Sequence, residues 1–185
     1  MMFGARLDVS QAVRAFERLG AQVNSASSLA LTRAIASAKT DLGRNVAKDI
    51  SLKVGVVNEA LTVQSPTPTS LTALISAAVR RIPLIDFGAR GPEPSRGRGP
   101  GVTAKVQGQR KVYPRAFIAT AGHHRGVWQR HGTGARLPIT ELKGPSVAHV
   151  AAKHAEAAAA RGQAVFIERL KHEIGRLIRE VATTR

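Results

Sequence analysis

The chain's 185 residues carry 28 Lys+Arg against 12 Asp+Glu, a formal charge of +16, with no cysteine, one Trp and one Tyr. That length suits one domain able to bury its own core, and the lack of cysteine excludes disulfides, thiolate zinc sites and cysteine nucleophiles. No apolar run approaches the roughly 20 residues of a membrane span, and Met1 to Val9 lack a signal peptide's apolar stretch, so a soluble, non-secreted protein with no membrane partner is expected.

The first element reads as a long helix. Asp8 and Gln11 have capping-box spacing, and Val9, Val13, Phe16 and Val23 share one face with Ala12 and Leu19 beside them. Asn24 to Ser28 either interrupts or thins the pattern, which resumes as Leu31, Ile35, Ala38, Leu42 and Val46. Gly43 lies inside that seam, and the helix is expected to end near Asp49. A short helix over 54–61 precedes the Pro66 and Pro68 turn. From Leu71 the period changes to two: Leu71, Ala73, Ile75, Ala77 and Val79 form one apolar strand face. Pro83 confines any continuation to an edge or a bulge.

Residues 88–101 hold five Gly and three Pro around Arg90, Arg96 and Arg98. Such a stretch cannot bury enough apolar surface to offset its ordering entropy, and a flexible basic loop or arm within the single domain 1–185 is expected. The charge peaks around it. Residues 81–136 carry 11 basic and 2 acidic groups, over half the excess in less than a third of the chain. Nucleic acid or an acidic protein surface is the expected partner. Val102, Ala104 and Val106 alternate, Gln107 to Arg110 offers a hairpin turn, and Val112 begins the return strand. Strands follow at Ala116–Thr120 and from Val127, with a turn over 122–126 between them. Alanine-rich residues 147–160 read as helix, Gly162 as a break, and Phe166, Leu170, Ile174, Leu177 and Val181 as a second seam. The sum is an α+β fold: an antiparallel sheet with a long N-terminal helix and a C-terminal helix, plus the Gly/Pro/Arg-rich loop.

Catalytic chemistry finds no support. There is no GxxxxGK[ST], no GxSxG and no HExxH. His149 and His154 are five apart, off the three- or four-residue helical step that would pair two ligands. Asp86 and Glu93 are the only acids between residues 60 and 140, and Asp86 reads as a structural acid paired with a nearby arginine. No cofactor, metal or catalytic residue is expected. A small histidine enzyme such as a nuclease is the remote alternative, testable at His123 and His124.

In the middle of the chain Arg81-Ile-Pro-Leu-Ile-Asp-Phe87, Ala116-Phe-Ile-Ala-Thr120, Gly122-His-His-Arg-Gly-Val127, Arg136-Leu-Pro-Ile139 and Gly144-Pro-Ser-Val147 occur in order. Together with Leu31-Thr-Arg-Ala34, this succession, over roughly residues 28–150, resembles the prophage minor tail protein Z family of long-tailed bacteriophages. The resemblance implies a virion structural protein at the head-proximal end of a tail, made in the host cytoplasm. It implies tail completion and head–tail joining at the neck, beside the tail terminator or tail-tube ring and the head-side neck proteins. It further implies a ring-forming subunit, sixfold like the tube, and supplies no catalytic residues. Under that reading Pro83, Asp86, Phe87, Phe117, His123, Gly126, Pro138, Gly144 and Pro145 are structural. Arg90, Arg96, Arg98, Arg110, Lys111, Arg125, Trp128 and Arg130 are candidate partner contacts, because Trp and Arg are enriched at interface centres. The rival is a non-specific nucleic-acid-binding protein, and a contact with the genome DNA end is compatible with both. Aromatic residues at 4% are too few for base-stacking platforms.

Overall fold

The computed structural model describes residues 10–94, 99–131 and 138–183, and the side chains of 10–19 and 181–183 are left out of the description. Asp8, Arg96 and Arg98 lie outside the described residues. Helix α1 spans Ser10–Ile50 without a break, so Asn24–Ser28 does not interrupt it. Helix α2 is Val54–Glu59 and helix α3 is Val147–Thr183. Among the described residues nine short strands lie between: β1 Leu61–Gln64, β2 Leu74–Ala77, β3 Arg81–Pro83, β4 Val102–Val106, β5 Gln109–Tyr113, β6 Ala116–Ala121, β7 His124–Arg130, β8 Ile139–Glu141 and β9 Lys143–Ser146. Within the described residues they pair as the small antiparallel sheets β1-β2, β3-β9, β4-β5 and β6-β7-β8. The architecture is mixed α+β with a long helix at each end.

Two compact units divide the chain: residues 1–38, 63–74 and 159–185, and residues 39–62 and 75–158. In the first unit α1 turns a stripe of alanines inward, Ala26, Ala30, Ala34 and Ala38, at successive four-residue steps. Small residues allow close backbone approach. A Cβ placed on Gly162 of α3 would lie 3.3 Å from the Ala38 Cβ. Gly162 is therefore a packing position within a continuous helix, not a break. Val23, expected on the buried face, is instead exposed beside the alanine stripe, as is Leu29. On α3, Phe166, Leu170 and Leu177 are half-buried and Ile174 is exposed. The buried acid Glu173 is held by Arg33 Nη1 at 3.0 Å and Arg176 Nε at 3.2 Å, and Ser28 Oγ donates to the Pro66 carbonyl at 3.3 Å.

The second unit holds the main core, built from Leu42, Val46 and Ile50 of α1, Val57, Leu84, Phe87, Val102, Ala104, Ile118, Val127 and the first turns of α3. Its α1 residues continue the expected period. Ser51 ends α1 in the left-handed region, φ 61°, and the Leu52 amide donates to the Ala47 carbonyl at 3.0 Å. That six-to-one closure is a Schellman cap with serine where glycine is usual. Ser51 Oγ in turn accepts the Gly108 amide at 2.9 Å, while the Gln107 amide donates to the Ile50 carbonyl at 3.4 Å. Gln107 and Gly108 both have positive φ, 51° and 78°, the geometry of a type I′ hairpin turn. The tip of the β4–β5 hairpin is thus fastened to the end of α1.

The expected strand over 71–79 shrinks to β2. Ile75 and Ala77 face inward as the alternation requires, but Leu71 and Val79 are exposed and outside it. Pro83 ends β3 and opens a 3-10 turn, Leu84–Phe87, that buries Leu84 and Phe87. β3 pairs antiparallel with β9 across about sixty residues of sequence, Arg81 opposite Ser146 and Pro83 opposite Lys143. Each strand of this pair is an edge, which accommodates Pro83 and Pro145. The Phe87 ring lies over Gly144, where a Cβ would fall 2.5 Å from Cε2. Ser146 then caps α3 by accepting the His149 amide on its Oγ at 3.4 Å.

Candidate functional site

Among the described residues no group of three or more His, Asp or Glu could hold a metal ion, and no helix is long and apolar enough to cross a membrane. His123 is exposed in the turn before β7, and His124 Nε2 pairs with Glu141 Oε1 at 2.6 Å. Gly126 leaves room for that pair, because a Cβ there would lie 3.0 Å from Glu141 Oε1.

The arginine expected beside Asp86 is absent among the described residues. The 3-10 turn carries Asp86 towards β7 and β8, and its charged neighbours are His124, Glu59 and Glu141. Partial burial raises the carboxyl above its ordinary 3.8; His124 opposes the rise, and Glu59 and Glu141 add to it. A raised folded-state value means the protonated form is favoured by folding, so stability declines as pH climbs from 3.8 through that higher value. Asp86→Asn is expected to match the parent chain below this window and to exceed it at neutral pH, read as urea midpoints across the range. A parent advantage at neutral pH would contradict the assignment.

The cation candidates fall into separate environments. Arg125 Nη2 pairs with Glu93 Oε1 at 2.9 Å. The two line an open cleft of about 360 Å³ with Pro94, Ile118, Ala119 and Thr120. The Arg130 guanidinium stacks over the Phe117 ring, 5.0 Å from its centroid. Phe117 sits opposite Trp128 on the outer face of β6-β7-β8, and both are half-buried. The Trp128 indole N–H is spent on the Ala119 carbonyl at 2.9 Å. Pro138 is exposed and its carbonyl accepts the His131 amide at 3.1 Å, extending the β7–β8 pairing.

The expected arm is tied down at its base. Arg90 and Thr103 exchange backbone hydrogen bonds of 2.8 and 2.7 Å, and the Ile118 amide donates to the Pro92 carbonyl at 2.9 Å. Segment 90–92 thereby adds to the free edge of β4 and reaches β6. Gly91 permits this approach, since a Cβ there would lie 2.8 Å from the Val102 Cα.

Arg90 and Arg110 come together at the β4–β5 hairpin, and Lys111 lies on the same hairpin. Residues directly opposite in an antiparallel pair share a face. The bridge Arg90–Thr103 and the pair Thr103–Val112 therefore form one row, and Lys105–Arg110 forms the next. Arg110 Nη1 donates to Thr103 Oγ1 at 3.4 Å across the rows. Val102 and Ala104, on the opposite face of β4, are fully buried. Lys105, which sequence reasoning passed over, completes the cluster. Lys111 is exposed on the edge strand but faces the other way, opposite Ala104.

The family model described as prophage minor tail protein Z matches residues 8–184, well beyond the central stretch that carries the sequence resemblance. No curated protein and no solved structure matches the chain.

Proposed function

The chain belongs to the prophage minor tail protein Z family, hence is a structural component of a phage tail, and from that premise we propose that it completes the tail's head-proximal end as a ring subunit. The family match over residues 8–184 is the observation that carries this reading. The ring joins the tail to the neck, docking against the tail terminator or tail-tube ring on one side and head-side neck proteins on the other. Sixfold copy number follows from matching the tube.

Heterologous contacts suit such a ring, because one patch on each subunit meets a different patch on the next. The exposed cations of the central segment suit charge-matched stacking of unlike rings, which raises encounter rates and penalises wrong partners. Arg125 is a contact candidate in exchange for Glu93. Their pairing on the protein surface contributes at most about 1 kcal/mol, so a neighbour's carboxylate competes on equal terms.

Averaged images of tails with this subunit located, together with particles lacking it, test the proposal. The expected result is one ring of density at the head-proximal end, and unjoined heads and tails when the chain is missing. Density along the tail shaft or at the distal tip, or normal particles without the chain, would overturn it.

A further inference from the structure

We infer that the outer face of the β4–β5 ribbon, with Arg90 beside it, binds the phosphate backbone of duplex DNA. This goes beyond the tail reading and does not depend on where in the particle the chain sits.

Three cations, Arg90, Lys105 and Arg110, occupy two adjacent rows of one face. None makes an ion pair among the described residues, in contrast with Arg33, Arg125, Lys143 and Arg176, each of which meets a carboxylate. Lys105 and Arg110 stand directly opposite one another, and like charges so placed destabilise a strand pair. The isolated fold gains nothing from this arrangement; a polyanion laid across the face would neutralise both. The ribbon is also held firmly from behind. Its tip is bonded to Ile50 and Ser51, Val102 and Ala104 are buried beneath it, and Arg90 is locked by two backbone hydrogen bonds. Little backbone ordering remains to be lost on binding.

The choice of duplex over an acidic protein rests on the character of the face. Protein interfaces centre on aromatic or arginine anchors seated in pockets. Here only Thr103 and the exposed Val112 lie among the cations, on a face without an aromatic ring, since Tyr113 of β5 stands opposite Val102 on the other face. Protein–DNA interfaces are more polar and more positive, as this face is. Two-residue steps along a strand separate same-face positions by roughly 6.8 Å, so Arg90 is set one row away from the Lys105–Arg110 pair and the three cations spread over two rows. Contacts of this kind fix position without reading sequence.

The test is a salt titration of the purified full chain against a random-sequence DNA duplex followed by fluorescence anisotropy. Three phosphate contacts predict a log–log slope no shallower than about −2.7. Arg90→Ala, Lys105→Ala and Arg110→Ala should each make it shallower by about 0.9, while Arg169→Ala, an exposed cation on α3, should leave it alone. Scrambling the duplex should change nothing. The substituted side chains are exposed, so unchanged circular dichroism is expected throughout. An equal loss from Arg169→Ala would show diffuse attraction by net charge and overturn the assignment. Failure to bind the duplex, with poly-glutamate bound through the same three residues, would overturn it in favour of an acidic protein surface.

Discussion

Gly144→Ala is expected to lower the melting temperature by roughly 2–12 °C, from an overpacking cost of about 1–3 kcal/mol spread over a chain of this size. The cause is a single contact. An added methyl would fall 2.5 and 2.7 Å from Cε2 and Cζ of Phe87, a ring that is 2% exposed and wedged among Leu84, Val102 and the β3–β9 pair. Gly144 has no positive φ, so alanine fits the backbone and only the ring objects. Phe87→Ala alone should cost about 3–5 kcal/mol, as buried aromatics do. In that background Gly144→Ala should cost almost nothing, because the methyl enters space the ring has left. Thermal unfolding of the two single variants and the double variant measures the coupling. Strict additivity would show that glycine is required there for some reason other than Phe87.

Gly43→Ala carries a second prediction, one that changes sign with its neighbour. Glycine inside a helix costs about 1 kcal/mol relative to alanine, which argues for replacement. Yet a Cβ at Gly43 would lie 2.5 Å from Asn58 Oδ1, itself a buried oxygen without a hydrogen-bond partner among the described residues. Alone, the substitution drives a methyl into an unsatisfied polar atom and should destabilise the chain. Combined with Asn58→Ala it should raise stability above the parent, since the clash disappears, the helix gains alanine, and an unsatisfied acceptor costing roughly 1–3 kcal/mol is removed. Urea midpoints of the four chains decide the matter. A double variant no better than Gly43→Ala would refute the contact argument.

Helical periodicity carried far along this chain. Ile35, Ala38, Leu42 and Val46 are all buried as their spacing requires, because a single solvent-averse face is a local property of the sequence. Val23 was misplaced for a physical reason. The seam nearby is made of alanines close enough for backbones to touch, and larger residues are displaced to its flanks. The strand at 71–79 had the right alternation and the wrong length, since only residues 74–77 pair with β1, while Ala78 turns its backbone to Ala60 and Ala148. Pairings across long separations left no local signal: neither Arg90 beside Thr103 nor Phe87 over Gly144 could be deduced from spacing. Lys105 was different. A two-residue Gln107-Gly108 turn fixes the register, places Lys105 opposite Arg110 and so marks the pair in the sequence itself. Among the described residues Asp86 meets no arginine, because the 3-10 turn and not composition decides which side chains it meets, here His124, Glu59 and Glu141.

The long gap between β3 and β9 also bears on how the protein is made. Residues Arg81–Pro83 leave the ribosome about sixty residues before their partner strand does, an interval of roughly 3–12 s at ordinary bacterial elongation rates. Until then Leu42, Val46, Ile50 and Phe87 lack the lid that β9 and the start of α3 provide. A nascent or prematurely terminated product therefore leaves sticky surface uncovered and is a substrate for chaperones and proteases. Subunits become competent for incorporation only once β9 and the start of α3 have been made, which disfavours chains that stop before them.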